Sequence, residues 1–201
     1  MAAKKFYIKL FFFIIWMTSC KNPFATREAE PPNTNQSSWR FPADPAIVLE
    51  NMKFAFLEKN VENYLQCLAD SNALFKFIPD DYEATTNSGI FERWNLSLEQ
   101  SYVNKIFTSI PDDSTRKLEF SADIKRNDFP DSVQIRTDYA IELHHILSKS
   151  YPKQAKGKAD FWFIRRNGYW VITRWDDHET EIDSIASRLP SWSTIKASFT
   201  K

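Results

Sequence analysis

His145 is the residue best placed to do chemistry. Val133, Ile135, Thr137, Tyr139, Ile141, Leu143, His145 and Leu147 alternate with Gln134, Arg136, Asp138, Glu142 and His144. That period of two reads as a long strand with one buried face, and His145 interrupts its apolar side. An imidazole there can serve as a general base near neutral pH. The alternative, and our expectation, is a structural histidine whose ring nitrogens are satisfied. His144 points to the opposite face, so the two cannot hold one metal ion together in a regular strand. Arg174 ends an apolar run and keeps its charge at all pH values. It can bind a ligand carboxylate, or pair with Asp176 or Glu142. Asp176, Asp177, His178 and Glu179 look like metal ligands, but neighbours in a strand alternate sides, so at most two can converge. Cys67 lies between Leu65 and Leu68 in a helical pattern, which reads as a buried, inert thiol.

Several chemistries have no device here. Gly89, Gly157 and Gly168 are the only glycines and lie far apart, so neither a phosphate-cradling loop nor a dinucleotide fingerprint can be written. The His-Glu-x-x-His zinc motif, the Gly-x-Ser-x-Gly elbow and the Cys-x-x-Cys pair are absent. No cofactor and no metal are therefore expected. Twenty-six basic residues balance 26 acidic ones, which argues against a nucleic-acid partner. Seven tryptophans and an aromatic content of 15% argue for a well-packed domain rather than disorder.

The N-terminus reads as an address. Lys4, Lys5 and Lys9 precede the apolar run Leu10 to Met17, too short to span a bilayer as a helix and suited to a signal-peptide core. With Met17-Thr18-Ser19-Cys20 after it, the segment resembles a bacterial lipoprotein signal, in which the cysteine is lipidated and becomes the new N-terminus. The resemblance implies a signal peptide over 1–19, a lipid on Cys20 and membrane attachment. Residue 21 is Lys and not Asp, which points to the outer membrane facing the periplasm. Residues 20–43 are the lipidated Cys and a polar, Pro-rich tether, with Trp39 and Phe41 near its end able to dock on the domain. With Cys20 acylated, Cys67 has no disulfide partner. Residues 44–201, about 160 in number, suffice for one core.

Asp44-Pro45 opens a helix as cap and first-turn proline, with Val48, Leu49, Met52, Ala55 and Phe56 as its stripe. Val61, Tyr64, Leu65 and Leu68 give a shorter second helix. A short strand follows over Leu74 to Ile78, then a loop from Asp81 to Gly89. Ser97 and Gln100 have the spacing of a capping box for a third helix carrying Leu98, Tyr102, Ile106 and Phe107. Leu118 to Ile124 alternates as a strand, and the long strand follows. Gly157 to Asp177 then reads as a hairpin around Asn167-Gly168, the pair best suited to a type I′ turn. Regular pairing from that turn puts Trp162, Ile164, Tyr169, Val171 and Trp175 on one face, and Phe161, Phe163, Trp170, Ile172 and Arg174 on the other. Ser191 can cap a last helix with Trp192, Ile195 and Phe199 on one side.

Helix, helix, strand, helix and four antiparallel strands make an α+β arrangement: a curved antiparallel sheet of four to five strands with three helices on one face. From Asp44 to Asp177 the chain resembles the nuclear transport factor 2-like superfamily, the cone-shaped fold of ketosteroid isomerase and polyketide cyclases. The carriers are Asp44-Pro45, Leu74-Phe75-Lys76-Phe77, and Gly157-x-Ala159-x-Phe161-x-Phe163 leading through Asn167-Gly168-x-Trp170-x-Ile172. The resemblance implies a pocket between helices and sheet, with Trp170 and Ile172 facing inward. Candidate ligand-binding residues are then Tyr102, Tyr139, His145, Phe161, Trp170 and Arg174. Ketosteroid-isomerase-like sites set a carboxylate base beside a tyrosine; by alternation Asp138 and Glu142 face away from Tyr139, and no carboxylate accompanies it. The expectation is a non-catalytic module that binds a small molecule or a protein. The alternative is an isomerase, cyclase or dehydratase. The face carrying Trp162, Ile164, Val171 and Trp175 is apolar enough to suggest a homodimer.

Overall fold

The computed structural model describes residues 37–70, 75–180 and 189–200. The signal peptide, Cys20, most of the tether and Leu74 lie outside these residues. The described part is α+β, as expected, with six helices and a six-stranded sheet.

Helix α1 (Pro45–Glu58) starts where the sequence places it. The Asp44 carboxylate accepts from the Ala46 N–H at 2.8 Å, and Lys59 closes the helix in the left-handed region at φ 55°. Its stripe of Val48, Leu49, Met52, Ala55 and Phe56 is buried. α2 (Val61–Gln66) follows after an Asn60 cap. Strand β1 is Lys76–Ile78. The stretch expected to be loop forms two short helices, α3 (Asp81–Thr86), capped by Asp80, and α4 (Ser88–Phe91). Helix α5 (Leu96–Ser109) is capped by Asn95 rather than Ser97: the Asn95 side chain accepts from the Leu98 N–H at 3.1 Å. The strand expected over Leu118 to Ile124 stops at Phe120, as β2 (Arg116–Phe120), and an unexpected β3 (Lys125–Asp128) follows; both pair with β4 (Ser132–Leu143). β5 (Gln154–Arg166) and β6 (Tyr169–Glu179) form the hairpin, and α6 (Trp192–Thr200) ends the described chain.

The sheet order is β1-β6-β5-β4-β2, with β3 also on β4. It is mixed rather than wholly antiparallel, because β1 runs parallel to β6. The hairpin turn is as expected, with Asn167 at φ 48° and Gly168 at φ 90°. Its register is not. Ile164 pairs with Val171 and Phe163 with Ile172, but Trp162 pairs with Arg174 and Phe161 with Trp175. Thr173 is the extra residue of a β-bulge, and its hydroxyl donates to the Trp162 carbonyl at 3.2 Å.

One inserted residue inverts every face that follows. Trp175 and Asp177 turn inward, and Arg174 turns out to solvent. The apolar face proposed for a homodimer therefore loses Trp175, which is fully buried, while Trp162 stacks on Phe129 at 5.6 Å. Trp170, expected inside, is half-buried near the hairpin tip, and its N–H donates to the Pro42 carbonyl at 2.9 Å.

Candidate functional site

The inward sheet face is packed around α6. Trp192 enters between Phe56, Phe120, Tyr139 and Trp175, its ring centroid 4.2 Å from that of Trp175 and 5.1 Å from that of Tyr139. The Trp192 indole N–H donates to the Tyr102 hydroxyl at 2.8 Å. Ile195 and Phe199 continue the buried stripe, as the sequence predicts. Lys196 is fully buried too, one turn beyond Trp192.

Two polar clusters receive this helix. At its N-terminal end, Tyr139 donates to Asp177 at 2.7 Å and accepts from the Trp192 N–H at 2.7 Å. The other Asp177 oxygen takes the Ser193 N–H at 2.7 Å and the Ser193 hydroxyl at 2.5 Å. Asp80 accepts from the Ser191 hydroxyl, and its own N–H donates to the Ser193 hydroxyl at 3.1 Å. Two carboxylates thus meet a helix N-terminus, where free N–H groups and the helix dipole favour negative charge. Burial still dominates at Asp177 and pushes its pKa up to about 6, against the pull of Ser193 and Tyr139. The Tyr139 hydroxyl is driven well above its usual range by burial and by Asp177.

Deeper in, Glu99 accepts from the Tyr64 hydroxyl and the Trp94 indole N–H, each at 2.6 Å, and from Lys196. The Lys196 ammonium lies 4.4 Å from the ring centroids of Phe77 and Trp175, 4.7 Å from that of Tyr102 and 5.1 Å from that of Trp94. Four ring faces and one carboxylate make a cation cage. Burial nevertheless pulls the ammonium down to about 8, with Glu99 drawing it only part of the way back.

Of the candidate residues, Tyr102, Tyr139 and Phe161 come together around Trp192 and Trp175. His145 sits elsewhere, beyond the end of β4: it is buried between Tyr151 and Phe199, with Nε2 3.3 Å from the Pro152 carbonyl. Its buried Nδ1 has no hydrogen-bond partner among the described residues, so only one of the two ring nitrogens is satisfied as expected. Arg174 is exposed and makes two 2.7 Å bonds to Asp176. His178 also faces out, 3.2 Å from Asp160, which holds Arg136 through two 2.6 Å bonds. The Asp176–Glu179 run is therefore split between the two faces. Cys67 is buried, and burial pushes its thiol pKa up.

Alternation missed Asp177, because regular pairing hid the bulge. Trp175 lies three positions after Ile172 along β6, an odd offset that an uninterrupted strand cannot place on one face. Glu99 and Lys196 were missed as a pair. Each is the one charge on a helical apolar stripe, Glu99 with Tyr102, Val103 and Ile106, Lys196 with Trp192, Ile195 and Phe199. Gly157, cross-strand partner of Tyr139, is required for packing: a Cβ there would overlap the Tyr139 hydroxyl and the His178 carbonyl oxygen.

Among the described residues, concavities open to solvent on two sides of the domain. A groove of about 820 Å³ runs between α2, α5 and the hairpin tip, lined by Trp39, Phe41, Leu65, Leu96, Gln100 and Tyr169 among others. A polar one of about 440 Å³ lies on the outer sheet face, where Lys125, Arg136, Lys158 and His178 mingle with Asp123 and Asp138. Neither is lined by Tyr139 or Asp177.

No protein-family model matches the chain, and no curated protein matches it. Solved structures do. A protein of unknown function from Mycobacterium tuberculosis aligns with a TM-score of 0.53 at 10% identity, over 77% of this chain and 83% of its own. A nuclear transport factor 2-like superfamily protein from Salmonella enterica aligns with a TM-score of 0.52 at 10% identity, over 70% and 91%. A protein described as a putative scytalone dehydratase, from Novosphingobium aromaticivorans, aligns with a TM-score of 0.50 at 10% identity, over 71% and 86%. At these identities the likeness is one of backbone, and the described domain has the nuclear transport factor 2-like fold.

Proposed function

We propose that this chain is a lipid-anchored protein of the bacterial envelope whose nuclear transport factor 2-like domain binds a partner or ligand without transforming it. The observation that carries the reading is the occupation of the domain interior by α6. An enzyme of this design needs a chamber beside its acid and base. Here the Asp177–Tyr139 pair is spent on the backbone N–H of Trp192 and on the backbone N–H and hydroxyl of Ser193, and Asp177 and Tyr139 are almost wholly buried. Attachment through Cys20 and delivery to the outer membrane rest on the leader sequence.

The second reading is a small-molecule isomerase, cyclase or dehydratase. It is favoured by the same pair, since a carboxylate 2.7 Å from a tyrosine hydroxyl can move a proton, and by the description of one structural relative. The readings differ in whether α6 leaves. Native-state hydrogen exchange on the full chain checks this. Amides of α6 protected as strongly as those of β4 and β5 support the binding module. Opening of α6 well ahead of the sheet, with turnover lost in Asp177→Asn, replaces it by the enzyme. For the address, Cys20→Ala should release the protein from the membrane fraction, and an unchanged fraction rejects the anchor.

A further inference from the structure

We propose that the groove between α2, α5 and the hairpin tip is a binding site for a neutral polyhydroxylated ligand, a short oligosaccharide. This names a ligand class for the binding module and rests on that reading, but it does not depend on how tightly α6 is held.

The groove's composition is the first argument. At about 820 Å³ it falls in the range of small-molecule sites. Trp39, Phe41 and Tyr169 supply aromatic rings, and Phe41 is 64% exposed, among the most exposed apolar side chains of the described residues. A ring face with its negative π-cloud suits the slightly positive C–H face of a pyranose. Around the rings stand planar polar groups: Gln66 of α2, Gln100 and Asn104 one turn apart on α5, and Asn167 at the hairpin tip. An amide offers paired donors and acceptors in one plane, which fits adjacent hydroxyls that both give and accept. The side chains of Gln100, Asn104 and Asn167 are exposed and have no hydrogen-bond partner among the described residues.

The second argument removes the competing occupants. An ion needs a field of one sign, whereas Glu62 and Asp70 share the groove with Arg166, which lies 3.7 Å from Asp70. An extended peptide needs an open strand edge. The edge of β6 here is closed, because the Ile172 N–H donates to the Cys67 carbonyl at 2.9 Å and the Ala69 N–H donates to the Ile172 carbonyl at 2.8 Å. The Pro42 carbonyl takes the Trp170 N–H in the same way. A partner helix needs a continuous apolar trough, and α5 presents Leu96, Gln100 and Asn104 in succession.

The third argument is rigidity. The segment bearing Trp39 and Phe41 is held to α1 by the Arg40 N–H to Asn51 at 2.9 Å, and by the Asn51 amide to the Arg40 carbonyl at 2.6 Å. Asn51 is fully buried, so the rings stand on a fixed support, and ordering them costs a ligand little.

The test is calorimetric titration of the full chain with cellotetraose, chitotetraose and maltotetraose. A neutral peptide of similar size, n-butylammonium and butyrate are the comparison probes. Saturable binding of at least one oligosaccharide is expected, weakened about tenfold or more by Phe41→Ala and by Gln100→Ala. Both residues are exposed, so both variants should fold, and an unchanged melting temperature verifies it. Heat from none of the oligosaccharides overturns the proposal, as does sugar binding indifferent to both variants. Saturation by the peptide or either ion in place of the sugars also overturns it. If the sugars fail while α6 stays protected in hydrogen exchange, this inference falls and the binding-module reading stands.

Discussion

The domain interior and the lateral groove are built from the two sides of the same elements. α5 turns Glu99, Tyr102, Val103 and Ile106 inward and Leu96, Gln100 and Asn104 toward the groove. α2 sends Tyr64 in and Leu65 out, and β6 sends Ile172 in and Tyr169 and Val171 to the groove. Inside, polar groups are matched nearly one for one by partners from the chain. Asp177, Glu99 and Lys196 are held by α6 or hold it. In the groove, equally polar side chains face water. Burying a charge in a protein is tolerated only when it is paired and hydrogen-bonded. Polar groups committed to the chain's own helix are thus part of the packing, and polar groups left in solvent are those a ligand can still reach.

The comparison predicts unequal responses to substitution. The largest belongs to Trp192→Ala, which empties the centre of the interior. A loss of about 3–5 kcal/mol is expected in denaturant unfolding, as for other buried tryptophans. A loss below about 1 kcal/mol would mean that α6 is not a core element.

Next comes the buried ion pair. Lys196→Met leaves Glu99 a buried carboxylate without its cation and should cost about 3 kcal/mol or more. Adding Glu99→Gln should return most of that loss, because the neutral amide carries no unpaired charge and can accept from the Trp94 indole N–H while donating to the Tyr64 hydroxyl. If the double variant is as unstable as the single one, the cage is held by packing and not by charge.

The third effect depends on pH. The Asp177 pKa is raised from 3.8 to about 6, so the folded state holds this proton more tightly than the unfolded chain. Its contribution is complete below about pH 4 and is lost as pH rises through about 6, on the order of 2–3 kcal/mol over that window. Asp44 and Asp160 act oppositely, since their folded pKa values are lowered, so the readout is a difference. The stability of wild type relative to Asp177→Asn should fall between pH 4 and pH 7. Parallel curves would place Asp177 in contact with water.

The smallest effect sharpens the other half of the comparison. Phe41→Ala and Asn104→Ala in the groove should change stability by no more than about 0.5 kcal/mol, the usual range for exposed positions. A larger loss on chemical denaturation would show that the groove is structural.

Much of this architecture was legible along the chain, where the signal is local. The Asp44-Pro45 helix start, the Asn167-Gly168 turn and the Trp192, Ile195, Phe199 stripe each depend on residues within a few positions of one another. Steric limits on φ, hydrogen-bond needs at helix ends and the 3.6-residue repeat operate at that range. The resemblance in motif order carried the fold class. What escaped has one physical character. Alternation along β6 holds as far as Ile172, although Trp170 at the tip is only half-buried, and then a single unpaired residue at Thr173 inverts the faces. That exchanged Arg174 and Asp176 for Trp175 and Asp177 on the inner side. Lys196 and Glu99 lie 97 residues apart, and neither signals the other until α6 docks. Local signals along the chain mark most of its helices, strands and turns, but not α3, α4 or β3. That the last helix fills the interior, and that the groups left for a ligand lie in the groove beside it, is written in no single segment, because burial and charge pairing are properties of where chain segments meet.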